Sequence, residues 1–75
     1  MGKEDELNEQ RVGIIGLGYV GLPLAVAFAH MGIPVVGIEL DSSKVATLNA
    51  GKSYIPDVPT EDVARLVQQN LLSAT

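Results

Sequence analysis

Between Val12 and Ile38 the chain carries no Asp, Glu, Lys or Arg, yet six residues of that stretch are glycine. An uncharged run of this length is long enough to cross a bilayer. Two features oppose that reading. Pro23, Pro34 and the glycines interrupt it, and "HMGIP" (30–34) divides it into two apolar pieces with a turn between them. A buried strand-helix-strand unit satisfies the pattern better than one continuous helix.

The pieces separate by periodicity. "RVGIIG" (11–16) is apolar at nearly every position, as expected of a strand covered on both faces in a parallel sheet. From Tyr19 to Met31 the spacing is helical, with Val20, Leu24, Ala27, Phe28 and Met31 on one face. Pro23 falls in the first turn, Gly32 lies just past the helix end, and Pro34 prevents continuation. "PVVGIEL" (34–40) is a second buried-type strand. "DSSKVATLNAG" (41–51) is a short helix with Val45 and Leu48 inward. "KSYIPDVP" is a loop. Thr60 is expected to cap "EDVARLVQQNLL", with Val63, Leu66, Val67 and Leu71 on one side. Residues 1–10, "MGKEDELNEQ", read as a frayed polar tail. The chain stops where a further strand is expected.

The link from the first strand to the first helix is Gly16-Leu17-Gly18-Tyr19-Val20-Gly21. A glycine loop in this strand-to-helix context is the fingerprint of a dinucleotide site. Gly16 permits a tight turn. Gly18, lacking a Cβ, lets a pyrophosphate approach the main chain, and Gly21 lets the helix lie close to the strand, with Ala25 and Ala29 continuing a ridge of small residues. The first-turn N–H groups around Tyr19 and Val20 then face the phosphates, with the positive helix end behind them. Glu39 ends the second strand 18 residues after Gly21, where a carboxylate accepts hydrogen bonds from both adenosine ribose hydroxyls. The same charge repels a 2′-phosphate, so NAD is favoured over NADP. Asp41 is read as the cap of the second helix. Lys44, in that helix's first turn where a cation is disfavoured, is either a ligand contact or a solvated lysine. His30 complements the dipole at the end of the first helix. The expected fold is therefore α/β: a truncated Rossmann-like βαβ unit of two parallel strands followed by two helices. Residues 11–75 form the N-terminal part of an incomplete NAD-binding domain.

Composition narrows the remaining classes. A chain of 75 residues buries only about 60% of its unfolded surface. With no cysteine and no Cys/His cluster, neither disulfides nor a structural metal can compensate. Association with a second copy, as a homodimer or a larger species, is the remaining route, since two strands leave edges and apolar faces uncovered. The net charge of −4 opposes nucleic-acid binding. The acidic start lacks the order of a secretory signal, so a soluble, cytoplasmic chain without a membrane partner is expected.

"RVGIIGLGYVGLPLAVAFAHMG" and "VVGIELDSSKVATLNAGKSYIPDV" resemble the amino-terminal segment of the nucleotide-sugar 6-dehydrogenases, the UDP-glucose/GDP-mannose dehydrogenase family. The likeness runs from about Arg11 to the end. The Gly-Tyr-Val-Gly-Leu-Pro-Leu-Ala string is far more specific than the glycines alone. "NAGKSYIPDV" is similar to the branch acting on UDP-N-acetylglucosamine or UDP-N-acetylmannosamine. The resemblance implies an oxidoreductase that takes a sugar C6 alcohol to a carboxylate with two NAD. Gly16, Gly18, Tyr19, Val20 and Gly21 would hold the pyrophosphate, and Glu39, with Lys44 beside it, the adenosine ribose. The family's chemistry also requires a cysteine nucleophile, a lysine and an asparagine in segments this chain lacks. No catalytic residue is therefore assigned here, and the chain alone is expected to be inactive. Two alternatives stay open at this point: an NAD-dependent dehydrogenase of the hydroxyacid or 6-phosphogluconate type, and a non-catalytic, self-associating βαβ module.

Overall fold

A computed structural model describes residues 11–75, so the tail expected at 1–10 lies outside the described residues. The element order is β1 (Val12–Ile15), α1 (Gly21–His30), β2 (Val35–Ile38), α2 (Ser42–Asn49), α3 (Thr60–Gln68) and β3 (Leu72–Ala74). The strands form one parallel sheet in the order β1-β2-β3. The α/β class and the opening βαβ unit are as expected. The sheet has three strands where two were expected.

The extra strand comes from the end of α3. "QQNLL" reads as continuing helix, yet the helix stops at Gln68 and Asn70 adopts φ 61°. The N–H of Asn70 then donates to Val67 O (3.0 Å) and that of Leu71 to Leu66 O (2.9 Å). This is the Schellman closure, in which a left-handed residue satisfies the last carbonyls of a helix. Asn tolerates the left-handed region better than any non-glycine neighbour here, so it ends the helix and frees Leu72 to pair beside Val35. Gly32 and Gly51 close α1 and α2 with the same bond pattern. At its start α3 also differs from expectation. The capping position is Pro59, Thr60 is the first helical residue, and the Thr60 hydroxyl accepts from the Ser53 N–H at 3.1 Å instead of capping.

Register explains where the core sits. Val12, Val35 and Leu72 align across the strands, as do Ile14, Gly37 and Ala74. Both rows point to the face covered by the helices and join the core with Leu22, Ala25, Val26, Ala29, Leu48, Val63 and Leu66. The alternate row, including Ile15 at 85% exposure and Ile38 at 47%, faces away from them. The described residues thus cover one face of the sheet, where the unbroken apolar run of β1 predicted two.

Helix α1 buries the expected ridge of Ala25 and Ala29 and not the face expected from its periodicity. Leu22, Ala25, Val26 and Ala29 pack inward, whereas Val20, Leu24, Ala27 and Met31 are exposed and Phe28 is half-buried. The helix is apolar all round, so periodicity alone cannot choose a face. The small side chains decide it: Ala25 and Ala29 let the helix axis approach the sheet closely, and both are fully buried. In α2 and α3 the expected inward residues Leu48, Val63 and Leu66 are buried, with Val45 and Val67 packed beside them.

The outer edge of β3 is finished by a side chain. Asn49, at the end of α2, donates Nδ2–H to Ala74 O and accepts the Ala74 N–H at Oδ1, both at 2.9 Å. The amide mimics one step of a neighbouring strand and blunts an edge that would otherwise invite pairing. Among the described residues, no helix is long and apolar enough to cross a membrane.

Replacing Asn49 with Ala leaves both Ala74 groups without that partner. The expected cost is about 1–3 kcal/mol of stability, measured by urea unfolding. An unchanged unfolding midpoint would show that water replaces the amide freely.

Candidate functional site

The carboxyl ends of β1 and β2 carry the expected loop and acid side by side. β1 is tied to β2 at its last step by the Gly16 N–H, which donates to Ile38 O at 2.8 Å. Gly16 then takes φ +85°, a conformation open to glycine at little cost, and the chain reverses towards α1. Leu17 turns inward and is fully buried. It lies directly over Gly37, where a Cβ would meet three Leu17 side-chain atoms at 2.4–2.7 Å. A glycine in the middle of β2 is thus explained by the loop crossing above it. Gly37 had no role in the sequence reading, although a strand-interior glycine is a recognisable signal of close approach.

Gly18, in contrast, faces open space: a Cβ there would meet nothing within 4 Å. Tyr19 and Val20 follow, 77% and 81% exposed, and α1 begins at Gly21. A Cβ on Gly21 would lie 1.7 Å from the Gly16 carbonyl oxygen, a backbone atom that cannot yield. The close approach is therefore mainly to the loop's own turn, with Ile14 Cγ2 of β1 next at 3.6 Å.

The start of α1 has no side-chain cap and no acid in its first turn. Among the described residues, the N–H groups of Gly18, Tyr19 and Val20 have no protein acceptor. Uncapped N–H groups at the positive end of a helix, beside a residue with no side chain, favour an oxyanion. Side chains do not plug the crook, since Leu17 points into the core and Tyr19 and Val20 point out.

Glu39 follows β2 and turns towards the loop. Its Oε1 accepts the Leu17 N–H at 2.8 Å and its Oε2 accepts the Asp41 N–H at 2.9 Å. These two backbone bonds, the Asp41 one foremost, and the nearby Lys44 charge hold the carboxyl below its ordinary range. It is ionised, oriented, and keeps a free lone pair on each oxygen. That arrangement can accept two vicinal hydroxyls and repels a further phosphate.

Asp41 caps α2 as expected, its Oδ1 accepting from Ser43 N–H (2.9 Å) and Ser43 Oγ (2.6 Å). These bonds to Ser43 lower its own carboxyl. Lys44 is half-buried, with Nζ 5.7 Å from the centroid of the Tyr54 ring, a cation–π separation. Tyr54 carried no role in the sequence reading. A lone aromatic in an otherwise turn-like loop was the available signal. Tyr19, Asp41, Ser43, Lys44, Thr47, Tyr54 and Ile55 line a recess of about 310 Å³. His30 stands apart, its Nε2 3.8 Å from Asp62 Oδ2 across α1 and α3.

The family and the fold of the chain have known counterparts. The pattern described as "UDP-glucose/GDP-mannose dehydrogenase family, NAD binding domain" matches residues 10–75. A UDP-N-acetyl-D-mannosamine dehydrogenase of Salmonella typhi is 37% identical over 65 residues, covering 85% of this chain and 16% of the relative. An NDP-N-acetyl-D-galactosaminuronic acid dehydrogenase of Ralstonia nicotianae is 30% identical over 100% of this chain and 18% of the relative. Among solved structures, a ternary complex of GDP-mannose dehydrogenase from Pseudomonas aeruginosa superposes with a TM-score of 0.80 at 35% identity. That match covers 88% of this chain and 15% of the other. The chain spans roughly a sixth of the length of these relatives.

The lowered Glu39 carboxyl makes its bond to the loop pH-dependent. Because the folded value lies below the unfolded one, the contribution is present from the ordinary carboxylate range upward. It is lost as pH falls through the lowered value. A carboxyl-carbon NMR titration of Glu39 should give a midpoint below that of an unstructured glutamate, with the Leu17 amide shift moving in step. A midpoint at or above the ordinary value would contradict the geometry.

Proposed function

The chain belongs to the UDP-glucose/GDP-mannose dehydrogenase family and carries its NAD-binding domain, and from that premise we propose how its residues hold the cofactor. The N–H groups of Gly18, Tyr19 and Val20 receive the pyrophosphate at the start of α1. Gly16 and Gly21 shape the turn that presents them, and Leu17 roots it in the core. Glu39 takes the two adenosine ribose hydroxyls with its outward lone pairs, and Lys44 stands beside it at the rim of the recess. The observation that carries this reading is a loop with N–H groups unpartnered among the described residues and a pre-oriented carboxylate from the end of β2 bonded to that same loop.

Bound NAD supplies a hydride acceptor; this chain's own part is to orient that acceptor and exclude the 2′-phosphorylated form. We propose that the parent enzyme oxidises the C6 alcohol of a UDP-N-acetylhexosamine to a carboxylate using two NAD. The names of the relatives from Salmonella typhi and Ralstonia nicotianae support that substrate class. Capturing the aldehyde intermediate covalently calls for an activated nucleophile such as a thiolate, and the chain has no cysteine. The 75-residue chain by itself is accordingly proposed to be inactive. Family membership points away from the hydroxyacid and 6-phosphogluconate alternatives.

Titrating the chain with NAD should shift the Gly18, Tyr19 and Val20 amides in NMR spectra. Glu39→Gln should weaken binding about tenfold through loss of charge-assisted hydrogen bonds. NADP should bind less well than NAD to the unaltered chain. Absence of shifts at millimolar NAD would overturn the assignment.

Self-association in a cytosolic setting belongs to the same proposal. Ile15, Ile38 and the fully exposed Leu40 stand uncovered on β1, on β2 and just beyond it. An apolar surface of this kind favours a homodimer or a larger species. Sedimentation velocity should show a concentration-dependent species heavier than 7.9 kDa, and a monomer at all concentrations would refute it.

A further inference from the structure

The loop that follows α2 reaches back to the glycine turn at one atom. The Tyr54 hydroxyl donates to the Leu17 carbonyl oxygen at 2.6 Å, across 37 positions of sequence. Leu17 is also the residue whose N–H is held by Glu39 at 2.8 Å and whose side chain is fully buried over Gly37. Every group of this residue that can be held is held, each from a different part of the fold. The N–H is fixed from the end of β2, the side chain by the sheet, and the carbonyl by the loop 52–59.

The carbonyl has a particular consequence. The Leu17–Gly18 peptide is planar and trans, so its C=O and the Gly18 N–H point in opposite directions. Holding the Leu17 oxygen against Tyr54 therefore fixes the direction of the Gly18 N–H, one of the donors of the crook that have no acceptor among the described residues. Glycines on both sides of Leu17 would otherwise let this peptide plane rotate at low cost. The Tyr54 ring lies near the Lys44 ammonium, so the same side chain also positions the cation at the ribose end of the recess.

We propose that Tyr54 is a positioning residue for the dinucleotide loop, setting the orientation of the Leu17–Gly18 peptide and hence the donor that the pyrophosphate meets. This rests on the cofactor reading given above. Tyr54 itself acts through Leu17 and Lys44. Its phenol stays protonated at neutral pH, as burial and then the Glu39 and Asp41 charges push it above its ordinary value. It is therefore a donor under all conditions in which the carbonyl needs one.

The test compares the full chain with Tyr54→Phe, which keeps the ring and removes the hydroxyl. In the free protein, Leu17 amide exchange should accelerate about fivefold and the Gly18 nitrogen resonance should move, while exchange at Val35 in the core stays unchanged. NAD affinity should fall about five- to tenfold. Unchanged Leu17 exchange, or unchanged affinity in a chain that binds NAD, overturns the proposal, as does uniform acceleration that includes Val35, the mark of a merely structural role. If the unaltered chain binds no NAD but Leu17 exchange responds, the cofactor reading fails while the clamp on the peptide stands. Should Tyr54→Phe not fold, the unaltered chain still decides. The Tyr54 hydroxyl proton should exchange far more slowly than that of exposed Tyr19, and equal rates would overturn the proposal.

Discussion

One backbone N–H, that of Leu17, joins the two halves of the site. Its 2.8 Å bond to Glu39 fastens the turn after β1 to the end of β2. Without it the carboxylate would be held only by the Asp41 N–H of its own segment, with no bond to the turn. With it, the position of the negative charge and the position of the anion-binding crook are set by the same contact. The distance between the carboxylate and the uncapped start of α1 is then built into the fold before any ligand arrives, which is what preorganisation requires.

Packing below that bond makes it durable. Leu17 fills the space over Gly37, and Gly21 sits where no Cβ can go because of the Gly16 carbonyl. Two of the chain's glycines, Gly21 and Gly37, thus serve one purpose, bringing a strand, a turn and a helix start closer than side chains permit. The residue that follows the third strand holds the other side of Glu39 in place, since the Glu39 N–H donates to Thr75 O at 3.0 Å. β3 therefore steadies the site although it contributes no side chain to it. The helices occupy one face of the sheet only, so the apolar residues of the other face remain a surface with chemistry of its own.

Much of this was legible in one dimension, and the failures have physical causes. The glycine loop, Glu39, the capping role of Asp41 and the parallel α/β class followed from local pattern and spacing. Tyr54 did not, because a hydrogen bond spanning 37 residues leaves no periodic trace. The end of α3 was missed because Asn70 acts through a left-handed backbone angle that a helical hydropathy pattern conceals. Periodicity picks the wrong face of α1 because a helix apolar on every side offers it no contrast, whereas the small residues Ala25 and Ala29 mark the right one.

Sequence by itself determined the local chemistry: where the backbone must turn without a Cβ, where a carboxylate ends a strand, and which segments are apolar enough to be strands or helices. These depend on the conformational limits of single residues and on short spacings. The tertiary structure decided which faces are covered, that Leu72–Ala74 joins the sheet, and that Leu17 is held from three directions at once. Those outcomes depend on which distant groups meet, and that is settled by steric fit and hydrogen-bond satisfaction across the whole fold.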